Sequence, residues 1–208
     1  MFKIIKDAAY RLETRNVVQI QKLTGDTYTT STNTTKYFAV LGSVSTNKLK
    51  TESGLFVGAL NETVTFKGDG YVIETPGFRT LTEKIATLDP TIHGDLSYID
   101  GCSNTNVINP PRNGDPCLNY LYFPKGINQS FHTHPSLRVG FVLRGHGTAW
   151  IENDKYELNA GDVFILDRMV NHRFSTEDSP MSLIAFHPDS EDGPRDEGNP
   201  MKSRTYVK

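Results

Sequence analysis

Five of the six histidines lie between residues 132 and 187, and two of them, in His132-Thr-His134, are separated by a single residue. On a β-strand, residues i and i+2 face the same way, so both imidazoles would point into one interior. Imidazole is the commonest metal ligand in proteins and, being neutral, can be buried without burying a formal charge. A third ring, His172, opens a later predicted strand and reaches the same place if the two strands are neighbours in a small barrel. Three neutral nitrogens would leave coordination positions open for water or substrate, as a catalytic metal centre requires. An HxH pair by itself also fits ordinary strand histidines, so the weight falls on its surroundings. Earlier in the chain only His93 occurs, and the N-terminal half is expected to hold no metal site of this kind.

Other side chains nearby have chemistry to offer. Tyr120 and Tyr122 alternate with Leu121 and Phe123 in LNYLYFP, so their hydroxyls share a face. Turned inward, they are candidate catalytic groups that orient substrate or donate a proton. Turned away, they are rim or core aromatics bonded to backbone. His146 follows Gly145 in an expected turn and should lie at the surface. His187 ends the last predicted strand, where a surface place is expected and the barrel mouth is the alternative. Cys102 and Cys117 form no CxxC pair, and two free, buried thiols are expected.

The elements that must position these residues are short and β-rich. Tyr37–Gly42, Leu55–Leu60, Thr63–Lys67 and Tyr71–Glu74 read as strands, the last two separated by the turn-formers Lys67-Gly-Asp-Gly70. Helical periodicity is confined to Asp7–Glu13 and Leu81–Leu88. The Thr-rich residues Thr24–Thr35 read as an exposed loop or edge. Residues 103–115, SNTNVINPPRNGD, read as a boundary or a draped loop. Eight strands then follow closely: Leu118–Phe123, Gln129–His134, Arg138–Arg144, Thr148–Glu152, Lys155–Leu158, Asp162–Leu166, His172–Ser175 and Met181–Phe186. Tight turns are expected at Gly145-His-Gly147, Glu152-Asn-Asp154 and Asn159-Ala-Gly161. That spacing predicts an all-β protein with an antiparallel jelly roll or barrel in its C-terminal half. The expected division is a β-rich region over 1–115 without a metal site, a barrel over 116–188 and a charged tail over 189–208. The tail is expected to be disordered or to form an arm.

The spacing around the histidines carries a resemblance. Gly126, five residues, His132-Thr-His134, three residues, Arg138, six residues and Gly145 reproduce the first motif of the cupin superfamily, and Gly161, ten residues and His172 reproduce the second. The resemblance covers roughly Cys117–His187 and implies a cupin double-stranded β-helix. It also implies a divalent metal, Fe(II) foremost, with Mn, Ni or Zn as alternatives, and pairing into a homodimer. The N-terminal half is then either a degenerate second barrel, making a bicupin, or an extension of the first sheet. Departures accompany the match. Arg138 stands where four-ligand cupins carry Glu, and guanidinium has no lone pair to give a metal. Asp167, Met169 and Thr176 replace the usual Pro, Gly and Asn of the second motif. The pattern is therefore similar to three-His iron dioxygenases. Arg138 would clamp a substrate carboxylate or phosphate beside the metal, or turn outward, or pair with Asp162 or Asp167.

Composition narrows the function classes. Charged residues make up 22% and hydrophobic ones 37%, with a net charge of −2. That balance argues against general attraction to nucleic acid or anionic membrane. No apolar run suits a signal peptide or membrane span, so a cytoplasmic protein is expected. The leading expectation is a metal-dependent cupin that acts on a small, acidic molecule, most concretely an iron(II) dioxygenase. A non-catalytic small-molecule or sugar-binding cupin, with a structural metal or none, is the alternative.

Overall fold

A computed structural model of the chain describes residues 1–13, 17–30, 34–112 and 114–189. Fifteen strands and one 3-10 turn at Ile99–Gly101 make up the regular structure among the described residues. The strands are β1 (Phe2–Ile5), β2 (Ala9–Glu13), β3 (Val17–Thr29), β4 (Lys36–Ser45), β5 (Gly54–Leu60), β6 (Thr65–Glu74), β7 (Lys84–Thr87) and β8 (Leu96–Ser97). They continue with β9 (Ser103–Ile108), β10 (Cys117–Phe123), β11 (Arg138–Ile151), β12 (Asp154–Asn159), β13 (Val163–Leu166), β14 (His172–Ser175) and β15 (Met181–His187). The expected tail falls almost wholly on residues 190–208, outside the described residues. Among the described residues, no helix is long and apolar enough to cross a membrane.

Two antiparallel sheets account for all of these strands. The nine-stranded sheet runs β1-β13-β11-β15-β10-β9-β8, with β12 and β14 also paired to β11. The six-stranded sheet runs β2-β3-β6-β4-β5-β7. Side-chain alternation shows how they stack. On β15, Ile184 and Phe186 join the core between the two sheets, whereas Leu183 and Ala185 face a second core inside the C-terminal structure. On β4, Tyr37 and Ala39 face the inter-sheet core, whereas Phe38 and Val40 join a third core beyond it. The Tyr37 and Phe186 rings meet with centroids 5.3 Å apart across the inter-sheet core. The central strands of the nine-stranded sheet, such as β13 and β15, are therefore buried on both faces, and residues from 1–115 supply three of its strands: β1, β8 and β9.

Several sequence expectations are corrected. Asp7–Glu13 and Leu81–Leu88 contain β2 and β7 instead of helices; in β2, Tyr10 and Leu12 alternate toward the inter-sheet core, a period of two that a short run hides. β3 continues through Thr29, paired to β6 with a register shift between Thr24 and Thr27. Lys67-Gly-Asp-Gly70 is not a turn but the middle of β6. Gly68 has φ +141°, and a Cβ there would lie 2.1 Å from the Leu41 carbonyl oxygen, so glycine serves close approach of β4 and β6. Gly145-His-Gly147 likewise lies within a continuous β11. Gly145 has φ +73° beside the Pro180 carbonyl, next to a bulge between Val142 and Arg144, and the strand leaves β15 there to pair with β12 and β14. Ser103–Ile108 is strand β9, because its backbone pairs on both sides and the prolines begin only at Pro110. Gln129–His134 forms one isolated bridge, His132 to His172, instead of a ladder, with another just before it from Asn128 to Ser175. Both cysteines are free and buried, and burial pushes each thiol up to about 11.

Candidate metal centre

The bridge between His132 and His172 is the local reason that the histidines meet. Each backbone N–H donates to the other residue's carbonyl at 2.9 Å, which sets the two residues side by side. His134 is held from behind, where the Met169 N–H donates to its carbonyl at 2.7 Å. Met169 has φ +57°, so the turn before His172 takes a left-handed step at one of the positions that depart from the cupin motif. The outcome is a triangle of rings with centroids 4.4 Å (His132–His172), 5.0 Å (His132–His134) and 5.0 Å (His134–His172) apart. One ring nitrogen from each lies within 4.8 Å of the others.

Two of the rings have their tautomers set by backbone. Nδ1 of His132 lies 2.8 Å from the Ser130 carbonyl, and Nδ1 of His172 lies 2.9 Å from the Val170 carbonyl. A carbonyl only accepts, so each Nδ1 carries the hydrogen and each Nε2 keeps its lone pair. Outer hydrogen bonds of this kind fix the orientation of metal-ligating histidines. His172 is 1% exposed, and its Nε2 is buried with no hydrogen-bond partner. A buried acceptor left unmade is costly, and a cation shared with the other two rings would satisfy it. The donor set therefore fits a divalent metal.

Around the rings is a cavity of about 170 Å³. Phe123, Phe164 and Phe174 wall it, and Asn119, Arg138 and His187 supply polar groups. Burial, with Arg138 and the other two rings, lowers His134 to about 3. Burial lowers His172 to about 4, against the Val170 hydrogen bond, which favours the charged ring. His187 is held well below its ordinary value by burial and by Arg138. His134 and His172 are therefore neutral at pH 7, the state a ligand needs.

These shifts predict how the metal-free protein responds to acid. The folded state binds protons at His134 and His172 only below about 4, whereas the unfolded chain binds them from the ordinary value of 6.5. Between those limits the unfolded state holds more protons, so stability rises with pH. Chelator-treated protein should lose urea resistance steadily as pH falls from 6.5 towards 4. His172→Phe should flatten that dependence, and equal slopes in the two proteins would show that the ring titrates normally.

The structure brings His132, His134, His172 and Arg138 to one cavity. Arg138 is 5% exposed, and burial pushes its guanidinium down to about 10. Its Nη1 donates to the Ser136 carbonyl at 3.0 Å, Ser136 Oγ at 2.6 Å and the Leu137 carbonyl at 3.0 Å. It faces inward, while Asp162 and Asp167 accept backbone N–H groups from Asn159 and Arg168. Tyr120 and Tyr122 are not brought there. Alternation on β10 sends Asn119, Leu121 and Phe123 into the cavity and the tyrosines to the opposite face. The Tyr120 hydroxyl donates to the Ile92 carbonyl at 2.8 Å, and Tyr122 packs on His93. His146 is exposed and paired with Asp178. His187, expected at the surface, is buried and lines the cavity. Alternation along MSLIAFH, with Leu183 and Ala185 inward, was the signal that could have found it.

Sheet topology, double burial and the histidine triangle together define an all-β protein of the cupin fold. Residues 120–187 match the family model described as a cupin domain, so the chain carries a cupin domain in its C-terminal half. Among solved structures, it resembles a cupin 2 conserved barrel domain protein from Leptotrichia buccalis at 15% identity and TM-score 0.59, covering 90% of this chain and 89% of that one. It resembles AerE from Microcystis aeruginosa at 14% identity and TM-score 0.60, covering 89% and 96%. A salicylate 1,2-dioxygenase from Pseudaminobacter salicylatoxidans matches at 13% identity and TM-score 0.58, covering 86% and 76%. At such identities the likeness is one of fold. No curated protein sequence matches the chain.

Proposed function

We propose that this protein is a metal-dependent enzyme of the iron(II) dioxygenase type, acting on a small acidic molecule, with His132, His134 and His172 as metal ligands. The observation that carries the reading is His172 Nε2, a buried acceptor with its tautomer fixed, no partner, and two further imidazoles beside it. Iron(II) held there would supply open coordination positions and redox chemistry towards dioxygen. The chain's own groups do the rest. Arg138 sets a fixed positive charge in the cavity, anchored through Nη1 to Ser136 and Leu137. A cation beside a cation site weakens metal binding unless an anion lies between them, which favours an acidic substrate. The three phenylalanine rings exclude water and so strengthen that attraction. The fold likeness to a salicylate 1,2-dioxygenase supports the choice of oxygenation.

The test is metal content and acid-dependent oxygen uptake in untagged protein, alongside Arg138→Glu. The native protein should retain near-stoichiometric iron and consume oxygen with some small carboxylic acid. Arg138→Glu should bind metal more tightly, because a carboxylate replaces a repelling cation, and should lose more than about tenfold in acid affinity. Protein that retains no metal and folds normally in chelator would be a binding module, and the enzymatic reading would fall.

A further inference from the structure

The cavity contains a second polar feature, formed by side chains outside the histidine triangle. Asn119 Oδ1 is buried and has no hydrogen-bond partner, while Asn119 Nδ2 lies 3.5 Å from His187 Nε2. The two residues reach each other because β10 and β15 pair Cys117 with His187 and Asn119 with Ala185. That register puts them diagonally on one face of the sheet. The neighbouring strand β9 is bulged at the same level, since Leu118 faces Ile108 and Asn119 faces Asn106, with Val107 as the extra residue, and bulges gather beside active sites.

His187 can accept from Asn119 through only one ring nitrogen, which commits the amide N–H₂ and leaves the amide oxygen as an unanswered acceptor. A buried acceptor without a donor destabilises the protein alone, and a ligand hydroxyl or amine would satisfy it. We propose that Asn119, set on the cavity face by the regular β10–β15 register and steadied by His187, sets the substrate class: small carboxylic acids that also carry a hydroxyl or amino donor, in preference to the same acids without one. This rests on the reading above that the cavity takes an acid beside the three histidines. Arg138 attracts the carboxylate of either compound, so the amide oxygen supplies the discrimination. A site built to hydrogen-bond a substrate hydroxyl rejects the analogue that lacks it far more strongly than an apolar wall can.

The test uses full-length, iron-loaded protein without oxygen and matched acids: the monohydroxybenzoates against benzoate, and lactate against propionate, by calorimetry. The native protein should bind at least one hydroxy acid about tenfold or more tighter than its parent. Asn119→Leu should reduce that ratio to near unity with metal content unchanged, and Asn119→Ala gives the same reading if the leucine variant does not fold. His187→Phe should weaken the preference, and His187→Gln, which restores an acceptor for the amide, should recover it. A preference that survives in Asn119→Leu or Asn119→Ala overturns the proposal. So does native protein that holds iron and binds each pair equally, in which case the acid-binding reading stands alone. Native protein that holds no metal and binds no acid overturns both.

Discussion

His172→Ala is expected to leave the protein folded and almost free of metal. The backbone bonds that tie His172 to His132 are N–H to carbonyl in both directions, so they survive loss of the ring. β14 also keeps its pairing with β11 from Ile151 to Thr148. What disappears is the most deeply buried of the three nitrogens, together with the tautomer control supplied by Val170. Disturbing only the outer partner of a ligand costs about 10- to 100-fold in metal affinity, so removing a ligand from a set of three should exceed that. Metal per chain after chelator dialysis, with circular dichroism as the folding control, reads the outcome. His187→Ala should retain metal, since that ring lines the cavity outside the triangle. Full metal content in His172→Ala would take His172 out of the site.

A fragment of residues 116–208 is expected to aggregate. It keeps the histidines but loses β1, β8 and β9 from its own sheet and the whole six-stranded sheet that covers it. Leu118, Tyr120, Val139, Phe141, Ile184 and Phe186 are each at most 2% exposed in the inter-sheet core, and all would meet water. At about 1.5–3 kcal/mol for each large apolar side chain, the loss is on the order of 10 kcal/mol, comparable with the whole stability of a domain. Losing β1 also uncovers the edge of β13, a template for pairing with another chain. Size-exclusion chromatography and light scattering decide the matter. A soluble, monomeric fragment that binds metal normally would make the two halves independent.

The histidine cluster was legible because its chemistry is written in residue type and spacing. An HxH pair, a distant histidine and two glycine-framed motifs need no knowledge of long-range pairing. The C-terminal strands were legible for a similar reason: alternation in YLYF or SLIAF declares itself within a few residues. What was hidden depends on partners far away. Gly68 and Gly145 read locally as turns, and only the close approach of Leu41 and Pro180 shows why glycine is needed inside a strand. Tyr120 and Asn119 stand on opposite faces of one strand. Because both faces of that sheet are buried, hydropathy could not say which one looks into the cavity. The polar Asn119 was the signal, and the more reactive hydroxyls beside it drew attention away.

The pairing of β1 with β13 also has a consequence for synthesis. Phe2–Ile5 leave the ribosome well before their partners, Val163–Leu166, which lie about 160 residues further along the chain. At about 5–20 residues per second, the first strand waits on the order of ten seconds or more with its apolar residues and backbone groups unanswered. β13 then leads into the loop that sets Met169 against His134 and delivers His172 to the triangle. The nascent chain therefore seats β1 at nearly the same time as it completes the histidine triangle. Conditions that slow elongation or crowd the emerging chain should lower the yield of folded protein more than they lower its stability once made.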